Sequence, residues 1–184
     1  MCIRDRIKRD NRFNPDNFAE VVKVTYNSNQ VELENLIKLF FEIHDPTQEN
    51  RQGNDIGVQY RSLILANSEE EKIISNKIKV EFQDLLNEKG FGPITTDIKV
   101  LQKFYLAEEY HQDYLKKNPD GYCPDNSTGV VFSKKNKKFE SNEDLVVGKR
   151  ILVLEAEGCP YCYKLRQDVL NLSLIHISEP TRQL

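Results

Sequence analysis

A long polar segment, residues 44–62 (HDPTQENRQGNDIGVQYRS), holds the densest set of side chains that could take part in chemistry. It combines carboxylates, amides, guanidinium groups, an imidazole and a phenol, with almost no aliphatic residue, so it cannot be a core element. The particular combination of polar residue types is nevertheless unlike that of an ordinary solvent-exposed loop. A segment of this kind, between a predicted helix and a predicted strand, is typical of a loop that carries a functional site.

A second candidate centre is the cysteine pair Cys159 and Cys162, in the run Gly158-Cys159-Pro160-Tyr161-Cys162. Two thiols at this spacing, after a buried-strand pattern and before a helix, are typical of dithiol redox centres. A helix N-terminus lowers the pKa of a thiol, which would make Cys159 the attacking thiolate and Cys162 the resolving thiol. Half of a zinc site is the main alternative, but the sequence offers no second Cys or His pair, so redox chemistry is favoured.

Composition and charge indicate an ordinary globular protein, with 39% hydrophobic and 30% charged residues among 184. This length suffices for one medium-sized domain, or for one domain and part of another. The net charge of −3 gives no reason to expect nucleic acid or an anionic membrane as a partner. No apolar run approaches a membrane span, and four cysteines are too few for a disulfide framework.

The element pattern predicts the order β-α-loop-β-α-β-α, which fits an α+β sandwich with helices covering one sheet. Predicted strands cover residues 19–26, 59–66 and 94–104, and predicted helices cover residues 31–43, 69–89 and 107–117. Asn67 or Ser68 is the expected cap of the second helix, whose first turn is acidic. Gly90 is expected to end it.

The composition changes after residue 132. Residues 133–149 are rich in lysine and acidic residues and predict a solvated linker, and residues 150–156 then have the pattern of a buried strand. Residues 1–6 and 173–184 do not continue the neighbouring patterns and resemble translated sequencing-adapter peptides. We expect them to be a non-native leader and tail, against the alternative of flexible termini, with the native chain cut at both ends.

Four motifs make the chain resemble the A-type peptide methionine sulfoxide reductases. Residues 44–62 are similar to the HDPT…NRQGND.G.QYRS signature that lines the sulfoxide pocket of that family. Residues 105–112 (YLAEEYHQ) match FY.AE.YHQ, and residues 117–123 (KNPDGYC) match KNP.GYC. Residues 17–20 (NFAE) match GHAE, with Phe18 in place of the histidine. The resemblance covers roughly residues 13–132, and it implies a reductase domain over residues 7–132 with the family's ferredoxin-like α/β sandwich.

The resemblance also implies the roles of three residues: Glu20, Asp55 and Tyr60 match active-site residues of the family. Burial favours the neutral form of a carboxyl group, so Glu20 could protonate the sulfoxide oxygen, while Tyr60 and Asp55 orient it. Taken singly, each has a structural alternative: an edge carboxylate for Glu20, a turn cap for Asp55 and a core-edge phenol for Tyr60. His44 and His111 are expected to be structural hydrogen-bonding histidines, and neither a metal nor an organic cofactor is implied.

The family's nucleophile lies in a GCFWG motif, and this sequence contains neither Gly-Cys-Phe-Trp nor any tryptophan. The resemblance therefore implies that the first strand and helix of the fold are absent and that the chain as written is inactive. Cys123 matches the position of a resolving cysteine, although an idle buried thiol is about equally plausible. Residues 150–172 resemble the start of a thioredoxin- or glutaredoxin-like domain.

The expected substrate is methionine sulfoxide, free or in proteins, with the S epimer at sulfur implied by the resemblance. A cysteine thiolate would attack the sulfur, and the resulting sulfenic acid would condense to a disulfide that thioredoxin or the attached Cys159/Cys162 pair reduces. Two alternatives stay open: a non-catalytic binder of oxidised methionine, and a dithiol oxidoreductase fragment. A monomer is expected, with a cytoplasmic location as the default.

Overall fold

The computed structural model describes residues 19–29, 31–102, 104–106, 109–112, 117–118, 126–132, 149–155 and 176–182. These residues form the strands β1 (Glu20–Asn27), β2 (Arg51–Gln52), β3 (Asp55–Ile56), β4 (Leu63–Ala66), β5 (Asp97–Val100), β6 (Tyr105–Leu106), β7 (Lys149–Glu155) and β8 (His176–Arg182). The helices are α1 (Leu33–Glu42) and α2 (Glu69–Glu88), with short 3-10 helices at Val58–Tyr60 and Glu109–His111.

A six-stranded sheet in the order β5-β4-β7-β1-β8-β6 forms the centre of the described fold. Strands β4 and β5 run parallel and are connected by α2, whereas β7 lies antiparallel between β1 and β4. Strand β8 pairs with the other edge of β1 and carries β6 beyond it. The mixture of helices and strands confirms the predicted α+β class.

Strand β1 separates two apolar clusters because successive side chains of a strand point to opposite faces. On one face Val22, Val24 and Tyr26 join the larger cluster, which includes the buried residues of both helices. On the other face Ala19 and Val21 pack with a smaller set, Leu63, Leu65, Leu101 and Phe104. The helices therefore cover the face of the sheet to which Val22 belongs.

Helix α1 forms where the sequence repeats apolar residues at helical spacing. All of them are buried: Leu33, Leu36, Ile37, Phe40 and Phe41. Phe41 stacks on Phe82 of α2, with 5.6 Å between the ring centroids, and Phe82 also contacts Phe132 at 5.2 Å. Burial of an aromatic side chain of this size stabilises the fold by roughly 2–3 kcal/mol, so this aromatic contact fixes the helix pair against the sheet.

Helix α2 begins and ends at the residues expected from the sequence. Ser68 is its N-cap, and the Ser68 side chain accepts a hydrogen bond from the backbone N–H of Glu71 at 3.3 Å. Gly90 follows the helix with φ of +77°, a left-handed conformation that glycine adopts at low cost. The predicted cap and stop of this helix are both confirmed.

Three predicted elements differ from the structure. The first two residues of the predicted second strand, Gln59 and Tyr60, belong instead to the 3-10 helix Val58–Tyr60, because the turn at Gly57 directs the chain away from the sheet until Leu63. The predicted strand over residues 94–104 is limited to β5, since its partner β4 offers only the register Leu63↔Asp97 to Ala66↔Val100. In the predicted helix over residues 107–117, Glu109–His111 form a 3-10 helix, and residues 113–116 lie outside the described residues.

The last two strands, β7 and β8, come from segments for which the sequence predicts different things, a strand and a non-native tail. The predicted strand over residues 150–156 is confirmed as β7, which belongs to the same sheet as β1 and β4. Residues 176–182, within the expected non-native tail, form β8. The helix predicted from Tyr161 onward lies outside the described residues. Among the described helices, none combines the length and apolar character needed to cross a membrane.

Candidate active site

The polar segment 44–62 folds on itself through its own side chains. The Asp45 carboxylate accepts hydrogen bonds from the backbone N–H of Thr47 at 3.0 Å and from its hydroxyl at 2.6 Å. It also accepts one from the side-chain amide N–H of Gln48 at 3.1 Å, and the side-chain Oε1 of Gln48 accepts from the Gly53 N–H at 2.8 Å. Much of the polarity of the segment therefore serves to hold its backbone rather than to face solvent.

A two-stranded hairpin of β2 and β3 presents Asp55. Its register pairs Gln52 with Asp55 and Arg51 with Ile56, and the turn uses Gly53 at φ of +58°. A Cβ at Gly53 would collide with the Asn126 amide, so the Asn126 side chain lies directly over the turn. The hairpin is thus held from outside by the chain near residue 126.

The 3-10 helix that follows the hairpin presents Tyr60. The Gly57 N–H donates to the Asn50 carbonyl at 2.8 Å, and the Tyr60 N–H donates to the Gly57 carbonyl at 3.0 Å. Gly57 has φ of +153°, and a Cβ there would collide with the side-chain amide of Gln59. Val58 is buried, which anchors the turn and leaves Tyr60 half-buried at its end.

A small cavity opens between helix α1 and this segment. It is lined by Phe40, His44, Arg51, Gln52, Tyr60 and Ser62. One wall is an aromatic ring and the others carry a phenol, an amide, a guanidinium group and a hydroxyl. The cavity is small, about 10 Å³, so it admits about one water-sized polar group, such as the oxygen of a ligand.

His44 is a buried wall of the cavity with both ring nitrogens engaged. Nδ1 lies 2.6 Å from the Phe40 carbonyl oxygen, and Nε2 lies 2.8 Å from Ser62 Oγ. Burial lowers the pKa of His44 from 6.5 to about 4, against the opposing effects of the Phe40 carbonyl and the Asp45 carboxylate. His44 is therefore neutral near pH 7, and its predicted role as a hydrogen-bonding histidine is confirmed.

Two threonines before β5, Thr95 and Thr96, hold the polar segment 44–62 in place. Neither was identified from the sequence. Ser62 Oγ lies 2.7 Å from Thr96 Oγ1, and Thr96 is buried. The Thr95 N–H donates to the Pro46 carbonyl at 2.8 Å, so both threonines hold the segment from outside. A local signal was absent, because a Thr-Thr pair leading into a strand is common and its partners are distant in sequence.

Glu20 occupies the first position of β1 and is 1% exposed. Strand alternation places it on the face of Val22 and Val24, the face that the helices cover. The solvated edge position that was the alternative for Glu20 is thereby excluded. A carboxyl group at such a position is shielded from water.

The three predicted site residues thus lie in three different parts of the described fold. Tyr60 lines the cavity, Asp55 is half-buried on the hairpin opposite the cavity residue Gln52, and Glu20 is buried in the sheet. Cys123, Cys159 and Cys162 lie outside the described residues. Within the part of the chain that the structure describes, no group of three or more His, Cys, Asp or Glu residues could hold a metal ion.

Comparison with known proteins yields a family match over residues 12–143, to the model described as peptide methionine sulfoxide reductase. The mitochondrial peptide methionine sulfoxide reductase of Rattus norvegicus is 55% identical over 112 residues, covering 61% of this chain and 48% of the relative. The peptide methionine sulfoxide reductase MsrA of Corynebacterium kroppenstedtii is 51% identical over 118 residues, covering 61% and 54%. The chain spans about half the length of the curated relatives it matches.

Solved structures agree with these relatives. Methionine sulfoxide reductase A of Corynebacterium diphtheriae matches with a TM-score of 0.50 and 44% identity, over 56% of this chain and 53% of the other. Mxr1 of Saccharomyces cerevisiae in reduced form matches with a TM-score of 0.50 and 28% identity, over 65% and 96%. Because the family match spans well over half of the sequence, the chain belongs to the peptide methionine sulfoxide reductase family.

Proposed function

We propose that the protein serves the reduction of methionine S-sulfoxide, free or in proteins, to methionine, as a repair of oxidative damage. The observation that carries this proposal is the cavity lined by Tyr60 and Phe40 inside the family's polar signature segment. A methionine sulfoxide side chain has a polar S=O group and an apolar methyl group. The Tyr60 phenol suits the oxygen of this side chain.

Glu20 supplies the proton in this proposal. Protonation of the sulfoxide oxygen makes the sulfur electrophilic, and a carboxyl group that burial keeps neutral is a suitable donor. The burial of Glu20 at 1% exposure supports this role. Tyr60 and Asp55 orient the oxygen, which is a preorganised polar arrangement of the kind that stabilises developing charge.

The reduction itself is a two-electron exchange between two sulfur atoms. A thiolate attacks the activated sulfur, the S–O bond breaks, the oxygen passes to the thiol as a sulfenic acid, and methionine leaves. A second thiol then condenses with the sulfenic acid, forming a disulfide and releasing water. The sequence contains no Gly-Cys-Phe-Trp run to supply the first thiol, so we propose that the chain as written binds sulfoxide without reducing it.

Cys123 is the proposed resolving thiol. It precedes Asn126 by three residues in the sequence, and Asn126 lies against the hairpin that carries Asp55. The place of Cys123 in the run KNPDGYC, which matches the family motif KNP.GYC, supports this role.

Cys159 and Cys162 are the proposed recycling dithiol, alongside an external thioredoxin-like reductant. Strand β7 ends at Glu155, which pairs with Val21, the neighbour of Glu20. Cys159 follows four residues later in the sequence. A tethered dithiol would act at high effective concentration. Turnover supported by a small, catalytic amount of thioredoxin should fall when Cys159 and Cys162 are both replaced by serine in the complete protein. Unchanged turnover would count against this role.

A second candidate function is a non-catalytic binder of oxidised methionine, favoured by the absence of the Gly-Cys-Phe-Trp run. Epimer-resolved binding and reduction assays on the chain as written test the sulfoxide pocket that both candidates require, and turnover by a chimera that supplies a GCFWG segment upstream of Glu20 separates the two. N-acetylmethionine S-sulfoxide should bind, the R epimer should bind more weakly, and neither should be reduced by excess dithiothreitol. Equal binding of both epimers, or no binding, would contradict the proposal. A third candidate, a dithiol oxidoreductase fragment, would instead reduce insulin disulfides without any sulfoxide binding.

A further inference from the structure

A line of buried hydrogen bonds crosses the wall of the cavity and connects three elements. Thr96 Oγ1 lies 2.7 Å from Ser62 Oγ, which lies 2.8 Å from His44 Nε2, and His44 Nδ1 lies 2.6 Å from the Phe40 carbonyl. The three side chains are at most 6% exposed. The line joins the last turn of α1, the residue before β4 and the residue before β5.

The partners at one end determine where every proton lies. A carbonyl oxygen can only accept, so Nδ1 of His44 must carry the proton that it donates to Phe40. In the neutral ring Nε2 is then an acceptor, and the Ser62 hydroxyl must donate to it. With its own proton used, Ser62 Oγ accepts from Thr96. The line is therefore a directed relay, in which Thr96 donates to Ser62, Ser62 donates to His44, and His44 donates to the Phe40 carbonyl.

Thr95, the neighbour of Thr96, holds the beginning of the signature segment, residues 44–62. The Thr95 hydroxyl lies 3.0 Å from the Pro46 carbonyl oxygen and 2.8 Å from that of Gln48. The Asp97 N–H donates to the Ser62 carbonyl at 3.0 Å. Residues 95–97 thus bind both ends of a segment whose middle carries Asp55 and Tyr60.

We propose that His44, Ser62 and Thr96 are positioning residues, which fix the Tyr60 wall of the cavity for sulfoxide binding through a neutral, singly oriented imidazole. This proposal rests on the proposed function. Tyr60 lies two residues before Ser62, so a shift of Ser62 moves the phenol relative to a ligand. The charged groups near the ring are the Asp45 carboxylate beside it and Arg51 across the cavity, and Lys79 donates to the Thr96 carbonyl at 2.6 Å.

The test compares Ser62→Ala and Thr96→Val with the conservative variant Thr96→Ser, each made in the full chain. Ser62→Ala leaves a buried imidazole nitrogen without its donor, so we expect binding of N-acetylmethionine S-sulfoxide to weaken about tenfold. Thr96→Val should weaken binding by a smaller factor, and Thr96→Ser should restore wild-type affinity. Thr128→Val is the matched control, because the Thr128 hydroxyl accepts a local hydrogen bond from the Val130 N–H at 3.3 Å and does not line the cavity.

Two spectroscopic readouts separate positioning from general destabilisation. Nitrogen-15 shifts of His44 should show a protonated Nδ1 in the wild type. In Ser62→Ala the neutral ring loses a hydrogen bond, so the pKa of His44 should rise and sulfoxide binding should become pH-dependent at a higher pH than in the wild type. Ring resonances of Tyr60 should shift in Ser62→Ala and Thr96→Val but not in Thr128→Val.

The outcomes distinguish failure of this proposal from failure of the proposed function. If the wild type binds sulfoxide and the variants bind equally well with unchanged Tyr60 signals, the positioning role is wrong while the proposed function stands. If the wild type does not bind sulfoxide, the proposed function fails and so does positioning for sulfoxide. The Tyr60 and His44 signals then still decide whether the relay fixes the wall. A protonated Nε2 in His44 would overturn the relay in either case.

Discussion

The Ser62 hydroxyl lies 2.8 Å from Nε2 of His44, and both side chains line the cavity that also contains Tyr60. This contact joins the first and last residues of the signature segment, so the segment closes into a loop around its own polar side chains. Side chains that converge at such a closure are held by both flanking elements, α1 and β4. The arrangement supplies rigidity where a ligand-binding loop needs it.

Stability should depend on the neutrality of His44. The folded-state pKa, lowered to about 4, lies below the unfolded value of 6.5, so the unfolded chain binds a proton first as the pH falls. The His44 contribution is complete above about pH 6.5 and is lost as the pH falls to about 4, amounting to about 3 kcal/mol. Urea unfolding of the wild type and His44→Gln at several pH values measures it. Parallel pH profiles of the two proteins would show that His44 contributes nothing.

The aromatic contact between the two helices should dominate the stability of the helix-covered face. Phe82→Ala removes a fully buried ring that contacts Phe41 and Phe132, and should destabilise the fold by about 3–5 kcal/mol. Ile73→Ala, at a position of the same helix that is 67% exposed, should change stability by less than about 0.5 kcal/mol. Denaturant midpoints measure both, and similar midpoints for the two variants would contradict the packing described.

The cap of α2 offers a smaller and cleaner test. Ser68→Ala removes the acceptor for the Glu71 N–H and should cost about 1 kcal/mol, whereas Ser68→Asn keeps a capping oxygen and should restore most of it. Thermal unfolding followed by circular dichroism is sufficient. Equal losses in both variants would mean that packing, rather than capping, sets the effect.

Strand β7 should be part of the main fold, because it pairs with β1 on one side and with β4 on the other. Proline cannot donate to a strand ladder, so Val153→Pro should lower the stability of the whole domain by about 3 kcal/mol or more. Asn136→Pro in the predicted linker, residues 133–149, is the control and should have little effect. If Val153→Pro leaves the unfolding of the main domain unchanged, β7 is not part of the main fold, and residues 150–172 are then separate from it, as their resemblance to the start of a thioredoxin-like domain implies.

The proposed proton donor can be separated from simple packing by its isostere. In a chimera that supplies a GCFWG segment upstream of Glu20, Glu20→Gln keeps the size of the side chain but cannot donate a carboxylic proton. Turnover of methionine S-sulfoxide should fall about 10²- to 10⁴-fold while binding is retained. Tyr60→Phe should lower turnover about 10²-fold. Loss of binding in Glu20→Gln without a change in the turnover of bound substrate would assign Glu20 to packing instead.

Local patterns explain why part of the fold could be predicted. Strand β1, helix α1 and the cap of α2 depend on apolar periodicity or on a single capping side chain, both of which are read from adjacent residues. The length of β5 could not be predicted, because it is limited by its short partner β4. The end of the 3-10 helix before β4 was missed because Tyr60 lies close in sequence to the apolar run of β4 and was assigned to the same strand.

The candidate site divides in the same way. Glu20, Asp55 and Tyr60 were identified through the resemblance to one long motif, and the structure shows a buried position for Glu20 and a cavity position for Tyr60. Ser62 and Thr96 are 34 residues apart, and no sequence pattern signals their contact. Glu20, Asp55 and Tyr60 lie in recognisable motifs, whereas Thr96 is connected to the site only by its tertiary contact with Ser62.

The central claim, that this fold presents a pocket for methionine S-sulfoxide, is tested most directly by epimer-resolved turnover in the GCFWG chimera with dithiothreitol as reductant. N-acetylmethionine S-sulfoxide should be reduced to N-acetylmethionine, and the R epimer should remain. Consumption of both epimers at similar rates, or of neither by a chimera that folds, would contradict the claim.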